Sequence, residues 1–318
     1  MSADSSRTRL LYKVAKAYYE DGLTQQEIGR RFGISRIRVS RLLQQAREER
    51  VVQIIISPQG GSHADLEREV EARYGLDEVV IVSAAGDDSQ SITRALGPAA
   101  ARCLLRSLSG SEVLALTWGT AVLSVVDAMP ARHWPEMRVV QALGGLGQPE
   151  AEVHGAEVVR RLGGILGARP RLLSAPGIVP SRLVRDALLG DPQISDTLAL
   201  AAQADVALVG IGVVAAANSV VRQAGTILTE AEIAALQVRG AVGDIALRFF
   251  DDQGRSIGGE LADRVVGLDL AQLRRIPRVI GVAGGPAKLA AIRAALRGRL
   301  VHTLVTDEAT GRALARGA

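Results

Sequence analysis

At 318 residues the chain is longer than one hydrophobic core comfortably serves, which predicts two domains of unequal size; no apolar run nears the roughly 18 to 20 residues of a membrane span and residues 1–9 are polar, so a cytoplasmic protein without membrane contact is expected. A single cysteine, Cys103 in the apolar helical stretch AARCLL, excludes an internal disulfide and a cysteine-based zinc site, the histidines His63, His133, His154 and His302 have no ligand spacing, and neither a metal nor a cofactor is expected. The net charge of +4 is unevenly spread: residues 1–56 hold 11 Lys/Arg against 6 Asp/Glu and the rest sums to −1, as in a phosphate-backbone binder joined to a neutral sensor.

In chain order, Leu10, Leu11, Val14, Ala15 and Tyr18 recur at helical spacing and predict a first helix that ends near Asp21-Gly22. Thr24-Gln25-Gln26-Glu27 is a capping box for a second, short helix that buries Ile28 and Phe32 and stops at Gly33. Ile34 fills the corner, Ser35 is a natural N-cap, and Val39, Leu42, Leu43 and Ala46 form the apolar stripe of a third helix. Two short helices around a tight glycine turn, followed by an amphipathic helix, predict a helix-turn-helix that sets the third helix into the major groove of double-stranded DNA. Arg36, Ile37, Arg38, Ser40 and Arg41 fall off the buried stripe in its N-terminal half, where side chains reach base edges, whereas Arg30 and Arg31 suit phosphates. The candidate DNA contacts are Thr24, Gln25, Arg30, Ser35, Arg36, Arg38, Ser40 and Arg41, with base readers and phosphate clamps left undivided. The run VVQIII at residues 51–56 is a candidate wing strand or docking segment, so the DNA-binding domain is placed at 1–56, a linker at 57–62, and the second domain at 63–318.

From His63 onward, helical patterns alternate with the apolar runs EVVIV, EVLAL, RVVQAL, DVALVGIG, RVIGVAG and HTLVTD, which predicts an α/β domain with a mostly parallel sheet covered on both faces. Ligands of such sheets bind beyond the carboxyl ends of the strands. One strand runs into Thr117, Trp118, Gly119 and Thr120 and then a helix, so free backbone N–H groups and two hydroxyls can meet an anion. A second runs into Gly284, Gly285, Pro286 and Lys288. The chain holds 35 arginines and only three lysines, so Lys288 is either a chosen ammonium or a chance cation on a solvated helix face. Neither turn matches a dinucleotide fingerprint or a P-loop.

The strings LTQQEIGRRFGISRIRVSRLLQQAREERVVQI, LTWGTA, VVQALGG, ADVALVGIG, GAVGDIALRFFDDQG, VIGVAGGPAKLAAIRAAL and LVTDEATG resemble, in order and from about Leu10 to the C-terminus, the SorC/DeoR-type family of sugar-responsive transcriptional regulators. The resemblance implies a winged-type helix-turn-helix followed by a domain similar to sugar-phosphate isomerases, assembly as a homodimer or homotetramer, and a small sugar or polyol effector, expected in phosphorylated form, that alters operator binding. It assigns Thr117, Gly119 and Thr120 to a phosphate loop and Gly284, Gly285 and Lys288 to a second anion-binding turn. It also places Gln141, Gly144, Gly145, Gly210, Gly212 and Asp244 at the same sheet edge, with Asp244 either accepting from sugar hydroxyls or bracing its loop.

Three other readings stay open at this point. A sugar-phosphate isomerase-like enzyme carrying a DNA-binding domain needs a positioned base, for which Asp205, Asp244 and Asp307 are candidates that each have a structural explanation. Lys288 with a depressed pKa can form a Schiff base with an aldehyde ligand. A constitutive DNA-binding protein whose second domain only oligomerises needs no ligand at all.

Overall fold

The first three helices start and stop on local chemistry. α1 (Ala3–Tyr19), α2 (Gln25–Phe32) and α3 (Arg36–Glu48) are separated by Gly22 and Gly33, both left-handed at φ +69° and +66°. Before α2 the Thr24 hydroxyl accepts the Glu27 N–H at 3.3 Å and the Glu27 carboxylate accepts the Thr24 N–H at 2.8 Å, which satisfies two N-terminal donors reciprocally. Ser35 caps α3 by accepting the Arg38 N–H at 3.2 Å. The turn is also tight at Gly29, where a Cβ would stand 2.7 Å from the Ile34 carbonyl oxygen. Leu11, Val14, Ala15, Ile28, Val39, Leu42, Leu43 and Ala46 close the core of these helices. Tyr18, expected inward, is 37% exposed and stacks edge-on against Tyr19, while Ala17 is buried in its stead.

This computed structural model describes residues 3–53, 63–145, 155–214 and 228–317, and its contacts divide the chain into two compact units, Met1–Ser62 and His63–Ala318. Residues 51–53 form no strand; Val51 and Val52 pack on the helical core instead, so the winged form is not seen there. Residues 54–56 of the expected wing, the expected linker 57–62 and His154 lie outside the described residues.

The second unit is built on a parallel sheet. In chain order it comprises α4 (Ala64–Tyr74), β1 (Glu78–Val82), α5 (Ser89–Arg106), β2 (Val113–Leu116), α6 (Thr120–Asp127), β3 (Arg138–Gln141), α7 (Gly155–Leu166), β4 (Arg169–Arg171), α8 (Arg182–Leu189) and α9 (Pro192–Ala202). It continues with β5 (Val206–Gly210), β6 (Gly212–Val213), α10 (Glu230–Val238), β7 (Gly243–Ile245), β8 (Arg248–Phe250), α11 (Leu270–Arg275), β9 (Arg278–Val282), α12 (Leu289–Arg297), β10 (Thr303–Asp307) and α13 (Glu308–Arg316). Seven strands pair in parallel in the order β1-β10-β9-β5-β2-β3-β4, and β6-β7-β8 form a small antiparallel sheet.

Both faces of the large sheet are covered, which is why its strands are continuously apolar. Leu114 and Leu116 of β2 face a layer with α5, α6 and α7, and Val113 and Ala115 face the opposite layer with α9, α11, α12 and α13. The six apolar runs of the sequence all contribute strands. Cys103 is buried in the first layer, where burial pushes its thiol up to about 11. Arg248 on β8 donates to the carbonyl oxygens of Leu268, Ala262, Val265 and Gly267 at 2.8–3.3 Å and so ties the small sheet to the segment before α11. Among the described residues no helix is long and apolar enough to cross a membrane, and no three metal-ligating side chains cluster.

Candidate functional site: a cavity at the strand ends and an arginine-bearing helix

The chain crosses from one side of β2 to the other between β4 and β5, so β2 and β5 are neighbours whose connections diverge, and a crevice opens beyond their carboxyl ends. A cavity of about 340 Å³ lies at these ends. Nine of the twelve residues singled out for the effector line it: Thr117, Gly119, Thr120, Gly210, Gly212, Asp244, Gly284, Gly285 and Lys288. The two glycine turns therefore share one cavity.

The first turn leaves β2 with Thr117 buried and its N–H donated to the Leu208 carbonyl at 3.2 Å. Gly119 then takes φ +148° and caps α6 with no side chain to offer, so the first-turn N–H groups of that helix have no capping partner there. The second turn is braced from below. The Gly285 N–H, at φ +95°, donates to the Asp307 carboxylate at 2.7 Å and to the Thr310 hydroxyl at 2.9 Å, and that hydroxyl donates to Asp307 at 2.6 Å. A Cβ at Gly284 would collide with the same carboxylate. Asp307, considered as a base from sequence, thus has its carboxylate occupied by the turn and by the first turn of α13. Asp205 is likewise a brace, accepting the Val113 N–H at 2.8 Å at the amino end of β2, away from the cavity.

Asp244 enters from the small sheet, in register with Gly212. Its carboxylate fills the place a Cβ of Gly212 would need and accepts one N–H, from Leu247 at 3.2 Å. That N–H is aimed by an unusual turn, because Ala246 and Leu247 are both left-handed, at φ +56° and +58°, where glycine or asparagine is the ordinary choice. Burial pushes Asp244 up to about 6, against the opposing pull of the Leu247 N–H and the Lys288 charge. Burial equally pulls Lys288 below the ordinary lysine value, while Asp244 resists the shift.

Gln141, Gly144 and Gly145, also singled out for the effector, do not line the cavity. The Gln141 amide is consumed within the fold: it donates to the Leu143 carbonyl at 2.8 Å and accepts the Leu173 N–H at 3.2 Å. Gly144 packs its backbone on Pro176, and its carbonyl accepts the indole N–H of Trp118 at 2.8 Å, so it reaches the cavity only through Trp118, which does line it. Gly145 pairs with Ala175 and Gly177 through its backbone. The sequence reading missed Asp87 and Ser89, which line the cavity from the loop after β1 and the start of α5; the rule that ligands gather at strand ends also covers β1.

In the first unit, Arg30, Arg36, Arg38, Ser40 and Arg41 are exposed and Gln25 is half-buried. Arg31 pairs with Asp21 at 3.7 Å, whereas Arg30, Arg36, Arg38 and Arg41 make no ion pair among the described residues. Thr24 and Ser35 engage their hydroxyls in helix caps.

A helix-turn-helix with exposed arginines, joined to an α/β unit with a ligand-sized cavity at its strand ends, defines the class of ligand-responsive DNA-binding regulators. Residues 60–316 match the sugar-binding domain family Sugar-bind, and residues 13–49 match region 4 of sigma-70. The chain is 31% identical over 311 residues to the deoxyribonucleoside regulator of Bacillus subtilis, covering 98% of each, and 30% identical over 313 residues to the sorbitol operon regulator of Klebsiella pneumoniae, covering 98% of this chain and 99% of that one. The crystal structure of the latter, full-length SorC, superposes with a TM-score of 0.75 at 30% identity over 96% of this chain and 98% of that one. The chain belongs to the SorC/DeoR-type family of sugar-responsive transcriptional regulators.

Proposed function

We propose that residues 1–56 hold operator DNA through α3 and that residues 63–318 bind a small sugar or polyol, in phosphorylated form, at the strand-end cavity, as a homodimer or homotetramer working in the cytoplasm. The observation that carries the reading is the convergence of both glycine turns and Lys288 on one cavity. A phosphate finds first-turn N–H groups of α6, the Thr120 hydroxyl and the Lys288 ammonium on its walls; Asp244 and Asp87 offer acceptors for sugar hydroxyls. The relatives are named as regulators, which supports a ligand that is sensed rather than converted; of the three carboxylates weighed as bases, Asp205 and Asp307 brace backbone and Asp244 lines the cavity.

A thermal-shift screen of phosphorylated sugars and polyols, each beside its unphosphorylated counterpart, tests the ligand class, because any ligand favouring the native state raises its melting point. Arg38→Ala is expected to weaken operator binding by tenfold or more while the effector still raises the melting point; Lys288→Met is expected to do the reverse. A Lys288→Met protein that keeps its full effector response removes the cavity from the proposal.

A further inference from the structure

One residue on α3 is not explained by charge or by packing. Ile37 is 68% exposed, on the N-terminal half of the helix between Arg36 and Arg38. The buried stripe of α3 is complete without it, through Val39, Leu42, Leu43 and Ala46. Helix formation does not favour it either, since a β-branched residue is a poorer helix former than the arginines beside it. The other large apolar side chains exposed among the described residues lie elsewhere, on α1, α8 and α10. An aliphatic group thus stands in water on a surface otherwise made of arginine and serine, two positions past the Ser35 cap, at the end of a recognition helix that meets base edges.

Among the four base pairs, only those with thymine present a methyl group in the major groove, and an aliphatic side chain reads that methyl by apolar contact with no hydrogen bond. We propose that Ile37 reads the 5-methyl group of a thymine in each operator half-site, and is a specificity residue separate from the arginines around it. The inference rests on the proposal above that α3 is the reading helix. The polar neighbours Arg36, Arg38 and Ser40 supply hydrogen bonds to bases or phosphates, and Ile37 supplies discrimination where a donor or acceptor has none to give.

The probe is a duplex selected from a random-sequence pool on the full-length chain, in which each thymine in turn is replaced by deoxyuridine, a change that removes only the methyl. The unmodified protein is expected to lose about fourfold in affinity at one thymine per half-site, the worth of one buried carbon. Ile37→Ala, which alanine's helix propensity keeps folded, is expected to bind the selected duplex more weakly by fourfold or more, to ignore that methyl, and to bind random-sequence DNA as before. Identical deoxyuridine profiles for the two proteins overturn the inference, as does an equal loss on selected and random DNA. So does a change in oligomeric state by sedimentation with the methyl response intact, which would assign Ile37 to a contact between copies. Arg38→Ala separates the two proposals: if it leaves both affinities unchanged, α3 is not the reading helix, and if it weakens binding while Ile37→Ala is silent, only the methyl contact fails.

Discussion

At the scale of single residues, Asp244 is the position where folding and the ligand recognition proposed for it pull apart. Its carboxylate sits against a glycine that leaves it room, accepts one backbone N–H, and carries a pKa pushed up to about 6 from the ordinary 3.8. The folded chain therefore keeps a proton between these two values that the unfolded chain has already released. Stability falls as pH rises through that window, and above it the buried charge stands as a cost of about 2–3 kcal/mol. Asp244→Asn keeps the acceptor for Leu247 and removes the charge, so the variant is expected to melt several degrees higher than the parent at pH 7.5, with the gap closing towards pH 4. Melting curves at the two pH values check this, and an unchanged midpoint at pH 7.5 would contradict it. The same variant is expected to lose effector response, because a group kept charged at a cost to the fold is kept for what it binds.

At the scale of elements, caps decide how well α3 is presented. The Ser35 hydroxyl holds the Arg38 N–H, and Arg38 is itself a candidate DNA contact, so the cap orients the turn that carries it. Ser35→Ala is expected to cost about 1 kcal/mol of stability in the helical unit and to weaken operator binding, readable by thermal denaturation and by titration with operator duplex. If affinity is unchanged while stability drops, the cap serves folding only. Capping boxes and glycine stops act within a few residues, which is why α2 and α3 were legible in the sequence to within a residue or two. The continuous apolar runs announced six parallel strands for the same reason. β4 was not legible: Arg169-Pro170-Arg171 is exposed, and it is a strand only through its pairing with β3. The β7–β8 hairpin was hidden because its turn uses Ala246 and Leu247 in a conformation that sequence assigns to glycine. In the site, both glycine turns could be read because they follow strands directly. The role of Gln141 could not be, since its partner Leu173 is 32 residues away. Asp87 also lies between a strand and a helix, β1 and α5, but Gly86 stands four residues past the end of β1 instead of directly on it, and no lysine follows.

At the scale of the whole molecule, a sensor and a reader occupy separate compact units, and regulation is the free energy that links them. Each unit has its own core, so calorimetry of the full chain is expected to resolve two transitions. An effector at about a hundredfold over its dissociation constant adds about 2.7 kcal/mol to the unit that binds it, a shift of about 5–10 °C for a domain of this size. Operator duplex is expected to move the transition of the helical unit and effector that of the α/β unit; a single transition moved equally by both would mean that the two unfold as one. Linkage then fixes what the regulatory measurement must give. If effector changes operator affinity by some factor, operator must change effector affinity by the same factor, whichever direction the switch runs. Titrating effector into the free chain and into the chain saturated with operator reads that factor directly, and Lys288→Met is expected to abolish it while leaving operator affinity in the absence of effector intact. Equal effector affinities in the two titrations would leave the cavity a binding site without a regulatory role, since a ligand that cannot tell the two states apart cannot shift the balance between them.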